Sequence, residues 1–88
     1  MNQSEPNLIH SGLSGVVTKD GVTVRVYIVR LENESGWSLE VVNSSATSIV
    51  WDDLFSSDQA AYAEFQRTID EEGIQSFLDT RNVIPLKR

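Results

Sequence analysis

Between Ser48 and Gly73 the chain reads SIVWDDLFSSDQAAYAEFQRTIDEEG, and its hydrophobic period changes midway. At the start, Thr47, Ile49 and Trp51 alternate along one side of an extended chain, which is the pattern of a half-buried strand. Further on, Ala61, Phe65 and Ile69 recur at i, i+4 and i+8, with Tyr62 three residues before Phe65, so an apolar stripe runs along one side of a helix. The stretch SSDQ supplies its start: Ser56 is expected to accept the amide hydrogen of the third helical residue while Gln59 reaches back, and Asp58 stands where the helix dipole favours an anion. Gly73 supplies its stop. The following IQSFLDT is either a separate short helix packing Ile74, Phe77 and Leu78 or a continuation, since Ile69, Gly73 and Phe77 keep a four-residue spacing. Glycine inside a helix costs about 1 kcal/mol, which favours the break.

Upstream the period is two throughout. LSGVVTK and VTVRVYIVRLE flank Asp20-Gly21, a pair that supplies the positive φ angles of a type I′ hairpin. Val22, Val24, Val26 and Ile28 then share one face of the second run, and Thr23, Arg25, Tyr27, Val29 and Leu31 share the other. After the turn ENESG, the run WSLEVV puts Trp37, Leu39 and Val41 on one side and Ser38, Glu40 and Val42 on the other. NSSA makes the third turn. Short strands joined by short turns predict an α+β domain: a four-stranded antiparallel meander with one amphipathic helix packed on one face, plus a short C-terminal helix, in the order ββββαα. Residues 1–12, polar and aperiodic with Pro6, are expected to form a disordered arm. A single domain is expected over 13–80, followed by a tail over 81–88 that Pro85 keeps from being helical.

Eighty-eight residues fit one domain, and a chain this short buries only about 60% of the surface it exposes when unfolded. It has no cysteine, hence neither a disulfide framework nor a thiolate zinc site. Residues 1–12 lack the basic and apolar regions of a signal peptide, and no apolar run approaches the roughly 18 residues of a membrane span, so a soluble cytoplasmic protein is the expectation. The net charge of −6 is unevenly spread. Residues 32–79 carry eleven acidic side chains against Arg67 alone, a net of −10, while residues 1–31 sum to +1 and residues 80–88 to +3. Such a chain is not expected to bind nucleic acid directly, because phosphate contacts need clustered Lys and Arg.

The neighbouring carboxylates Asp52 and Asp53 are the obvious candidates for chemistry, as metal ligands or an acid/base pair. In extended chain, adjacent side chains diverge, so the two are read as a strand-to-helix junction bonding backbone amides of the LFSS turn. Serine nucleophiles need a positioned base, and the one histidine, His10, falls in the arm. Gly12 and Gly15 have neither a strand before them nor a helix after them, so they make no phosphate loop. The chain is therefore read as working by binding rather than catalysis, with no catalytic residue, cofactor or metal site assigned. Trp37 and Trp51 share their faces with aliphatic residues and are read as core anchors rather than an aromatic binding wall.

Two features break local rules. Asp70, Glu71 and Glu72 sit at the end of the helix, where its dipole disfavours anions, and with Asp58 and Glu64 could present an acidic surface to a basic protein. Tyr27, Val29, Leu31, Val42 and Val50 face away from the expected helix, which covers one side of the sheet only. That second face is expected to be covered by the tail residues Val83, Ile84 and Leu86 or by a second copy, through a symmetric homodimer on the face or on an edge strand. The expected contact residues are Tyr27, Val29, Leu31, Val42, Glu64, Asp70, Glu71 and Glu72. The alternative expectation is an acidic mimic of nucleic acid, of the phage or mobile-element type, whose carboxylates occupy the phosphate site of a DNA- or RNA-binding protein.

Overall fold

The computed structural model describes residues 7–78. They form strands β1 (Leu8–His10), β2 (Gly15–Lys19), β3 (Val22–Leu31), β4 (Ser38–Asn43) and β5 (Ser48–Val50), then helix α1 (Asp58–Glu72) and a 3-10 helix, Ile74–Leu78. Every pairing is antiparallel. β3 is the spine: β4 lines one edge and continues to β5, while β1 and β2 lie end to end along the other. The sheet is thus α+β in class and four positions wide, but five strands build it.

The extra strand corrects one expectation. Residues 8–10, assigned from composition to a disordered arm, pair with Val29–Leu31. Three residues are too few to show an alternation, so only the edge they complete reveals them. Between β1 and β2, Ser11 to Ser14 bulge out opposite Ile28. The ladder is kept whole by serines: the Ser11 amide donates to the Ile28 carbonyl at 2.8 Å, and the Ser14 hydroxyl accepts from the Ile28 amide at 3.0 Å and donates to its carbonyl at 3.2 Å. The buried Ser11 hydroxyl also donates to Asp58 Oδ2 at 2.7 Å, which ties this edge to the first turn of α1.

The Asp20-Gly21 turn has both residues at positive φ, 52° and 78°, as a type I′ hairpin requires. Val22, Val24, Val26 and Ile28 alternate inward from β3, joined by Leu39, Val41, Ile49 and Trp51 from the neighbouring strands. Against them pack Ala61, Phe65 and Ile69 of α1 and Ile74 and Phe77 of the 3-10 helix. Phe77 stacks on Phe65 with ring centres 5.9 Å apart and tilts against Trp51 at 6.4 Å. Each large side chain buried this way contributes about 1.5–3 kcal/mol.

α1 begins one residue later than expected: Ser57, not Ser56, is its cap, in extended conformation with its side chain accepting from the Ala60 amide at 3.0 Å. Gln59 is then too early in the helix to reach back. The break at Gly73 is present: its φ of 84° leaves the helix, its amide closes the last turn on the Ile69 carbonyl, and the chain turns into the 3-10 segment. Ile74 and Phe77 are buried as expected, but Leu78 is 41% exposed. Asn43, only 5% exposed, anchors this segment to the sheet by donating from Nδ2 to the Phe77 carbonyl at 2.7 Å.

Candidate interaction surface

α1 and the 3-10 helix pack on the Val22–Ile28 face, and among the described residues no helix lies over the other face of the sheet. Register places its residues in rows. Val16, Arg25, Val42 and Ser48 run across all four positions; Tyr27, Glu40 and Val50 form the next row; His10, Val29 and Ser38 the next; and Leu8 stands opposite Leu31. Among them Leu8 is 52% exposed, Val16 55% and Val50 44%, values that mark unburied apolar side chains rather than a second core. Tyr27, Val29 and Val42 are half-buried by their neighbours in the sheet, and Leu31 is exposed.

Two shallow hollows flank the centre of this face. One, of about 160 Å³, is lined by Val16, Thr23, Arg25, Val42 and Ser44, together with Val24 and Asn43. The other, of about 200 Å³, lies at the opposite end of β3 among Leu8, Val29, Leu31, Gly36, Ser38 and Leu54, with Arg30 and Glu34 beside them. Gly36 makes the second possible. A Cβ there would lie 2.7 Å from Leu54 Cδ1 and 2.9 Å from its Cβ, so only glycine lets the Leu54 loop approach.

The charged groups within the outward rows are few. Arg25 is exposed and forms no ion pair among the described residues; Glu40 accepts a short hydrogen bond from the Ser48 hydroxyl. Arg30 turns to the helix side, lies 5.3 Å over the ring of Trp37, and donates to the carbonyls of Leu31, Glu32 and Glu34.

The acidic helix residues lie elsewhere, on the layer that covers the opposite face, so the structure does not gather the expected contact residues into one site. Tyr27, Val29, Leu31 and Val42 do share one surface. Glu64 is drawn into packing: its carboxylate accepts from Trp51 Nε1 at 3.1 Å and from Arg67 Nε and Nη2 at 2.9 and 2.6 Å. Glu71 takes the other arm of Arg67 at 2.6 Å. The hydrogen bond with Glu64, reinforced by the surrounding carboxylates, pushes the Arg67 guanidinium above its already high range, so it stays charged at any working pH. Asp70 and Glu72 are exposed and form no ion pair among the described residues.

Asp52 and Asp53 are both exposed, in a bend beyond β5. The bonds expected from them to the following turn are not formed among the described residues. That turn is held instead by Trp37, which exchanges backbone bonds of 2.9 and 2.8 Å with Phe55, and by the Ser57 cap. Trp51 is a core anchor, and Trp37 is half-buried against the core's edge. No group of three or more His, Cys, Asp or Glu side chains gathers as a metal site among the described residues, and no helix there is long and apolar enough to cross a membrane.

The expected contact residues omit Leu8, Val16 and Leu54. Val16 was within reach of counting: a two-residue turn at Asp20-Gly21 sets Lys19 opposite Val22 and hence Val16 opposite Arg25, on the outward face. Leu8 and Leu54 carry no such signal, because the residues around them lack a period. The tail residues Val83, Ile84 and Leu86 lie outside the described residues. No protein-family model, no curated protein and no solved structure matches this chain.

Proposed function

We propose that this chain is a small acidic protein-interaction domain of the adaptor kind, working by contact rather than catalysis, and that the uncovered sheet face joins it to a second copy. The single observation that carries the reading is the row of outward apolar side chains on a face that no helix among the described residues covers. Electrostatics favours the second copy as the occupant. Two chains of net charge −6 repel, yet the strand residues of this face contribute one cation, Arg25, and one anion, Glu40, so it is the part of the surface where like molecules meet without a charge penalty. A two-fold arrangement would let each Arg25 approach the other copy's Glu40. The cytoplasmic setting rests on the sequence reading alone.

Light scattering across a concentration series tests this. The expected result is a mass that doubles with concentration in the wild type and stays monomeric in Val29→Glu, with the circular dichroism of the two alike. A wild type that stays monomeric throughout, or a variant that dimerises as the wild type does, refutes it. Less supports the nucleic-acid mimic, since Asp58, Glu64 and Glu71 are engaged by Ser11, Arg67 and Trp51 instead of being displayed in a row.

A further inference from the structure

The two strands on the outer edge of β3 keep different registers. Gly15 stands opposite Val26, so an unbroken strand would set Gly12 opposite Val29 and His10 opposite Leu31. In the structure His10 stands opposite Val29 and Leu8 opposite Leu31. β1 is thus drawn in by two residues, and the surplus is the bulge at Ser11–Ser14. Because the surplus is even, removing it would leave every side chain of β1 on its present face.

The ladder loses nothing by that change. In the described register the Glu32 amide donates to the Asn7 carbonyl and the Ser11 amide to the Ile28 carbonyl, while the Ile28 amide turns to the Ser14 hydroxyl in place of a strand carbonyl. Shifted by two residues, Ile9 would stand at Glu32, Ser11 at Arg30 and Leu13 at Ile28, so these groups of β3 each meet a backbone partner. Ser11 to Ser14 all keep negative φ, and straightening them crosses no disfavoured region. Given up are the bond from the Ser11 hydroxyl to Asp58 and the one that hydroxyl accepts from the Leu13 amide. In exchange Leu13, exposed in the bulge, takes the inward position of Ser11.

We propose that β1 exchanges between these two registers, and that the described one is selected by Ser11 on Asp58 and by a second copy seated on the open face. The latter half rests on reading that face as the binding surface. In the described register Leu8 lines the second hollow and His10 flanks Val29. In the shifted one His10 replaces Leu8 beside Leu31 and Gly12 replaces His10 beside Val29, so the rim of the face gives up a leucine. A second copy that contacts Leu8 draws the equilibrium to the described register, and chains held in the other register associate less tightly.

Disulfides read the register directly, since the chain has no cysteine of its own. A β-carbon on Gly12 has nothing within 4 Å, whereas bridged β-carbons lie about 3.8 Å apart, so a bond between Gly12→Cys and Val29→Cys requires the shifted register. In the dilute full-length chain that bond is expected to form under mild oxidation, and Ser11→Ala should speed it by about tenfold, the worth of one hydrogen bond to a carboxylate. Gly12→Cys with Leu31→Cys, which meet in neither register, should stay reduced. No bond between positions 12 and 29, or equal bonding of position 12 to 29 and to 31, overturns the exchange; a rate that Ser11→Ala leaves unchanged overturns the part given to Ser11. His10→Cys with Val29→Cys locks the described register and shares its change at Val29 with the other locked form. It should self-associate about fivefold more tightly, from burial of the exposed half of Leu8. Equal dissociation constants, or two monomeric locked forms, overturn the coupling, and a monomeric wild type beside them overturns the self-association reading as well. In every case the disulfide at position 12 decides the exchange.

Discussion

Asn43 engages its side chain three times: Nδ2 on the Phe77 carbonyl, and Oδ1 on the amides of Ser45 and Thr47 at 2.9 and 3.0 Å. One side chain thus closes the β4–β5 turn and pins the 3-10 helix, which is otherwise far off in sequence. Asn43→Ala leaves a buried carbonyl and two amides short of partners and should cost about 2–4 kcal/mol, at roughly 1 kcal/mol for each bond lost and more where desolvation is complete. Three residues on, Ala46 is held at φ 67°, where a β-carbon is crowded. Ala46→Gly relieves about 1–2 kcal/mol of that strain and gives back about 0.5–1 kcal/mol in chain entropy, so it should stabilise slightly. Urea unfolding of the two variants should move the midpoint in opposite directions at an unchanged slope. Alternation alone says that Asn43 points inward after Leu39 and Val41. Nothing in the letters names its partner, because the Phe77 carbonyl arrives only when the whole domain closes. Gly36 is the same kind of case: its need for a bare α-carbon comes from Leu54, and Gly36→Ala should cost about 1–3 kcal/mol as the loop is pushed away, read in the same titration.

At the scale of elements, what is legible is whatever repeats. β3 shows its two faces in ten residues and α1 its stripe in fifteen, so period and type follow directly. Boundaries are set by single hydrogen bonds, and there the choice between Ser56 and Ser57 is open to either residue by composition. Ser57→Ala should therefore lower stability by about 1 kcal/mol while Ser56→Ala leaves it nearly unchanged, a difference that thermal melts of the pair would resolve. The acidic end of α1 follows the same logic. Its anions oppose the dipole, but Arg67 bridges Glu64 on the preceding turn and Glu71 on the next, a bracket that the spacing allows and only the rotamers reveal. Read from sequence, Glu64 belongs to an acidic docking surface. In the structure it accepts from the Trp51 indole and from Arg67, joining the sheet to the helix.

At the scale of the whole fold, the described residues place one helical layer on a four-position sheet and leave its second surface open, and the two surfaces differ in charge as well as cover. Association through the open face should depend weakly on salt, since it buries apolar side chains and two opposite charges, whereas contact through Asp70 and Glu72 with a basic protein should weaken steeply as salt rises. Sedimentation at low and high ionic strength separates the two: a dimer that dissociates on adding salt would speak for the acidic layer. The bulge at Ser11–Ser14 has a kinetic consequence. β1 is fastened by three register pairs and by the Ser11 hydroxyl on Asp58, while β2 is fastened by five pairs and a tight hairpin. The first strand can therefore peel away as a unit with the hairpin still closed, and amide hydrogen exchange at Ile9 should run ahead of that at Val17 by a margin that Ser11→Ala widens. The hinge of that motion is four residues long, and its latch is a single hydroxyl.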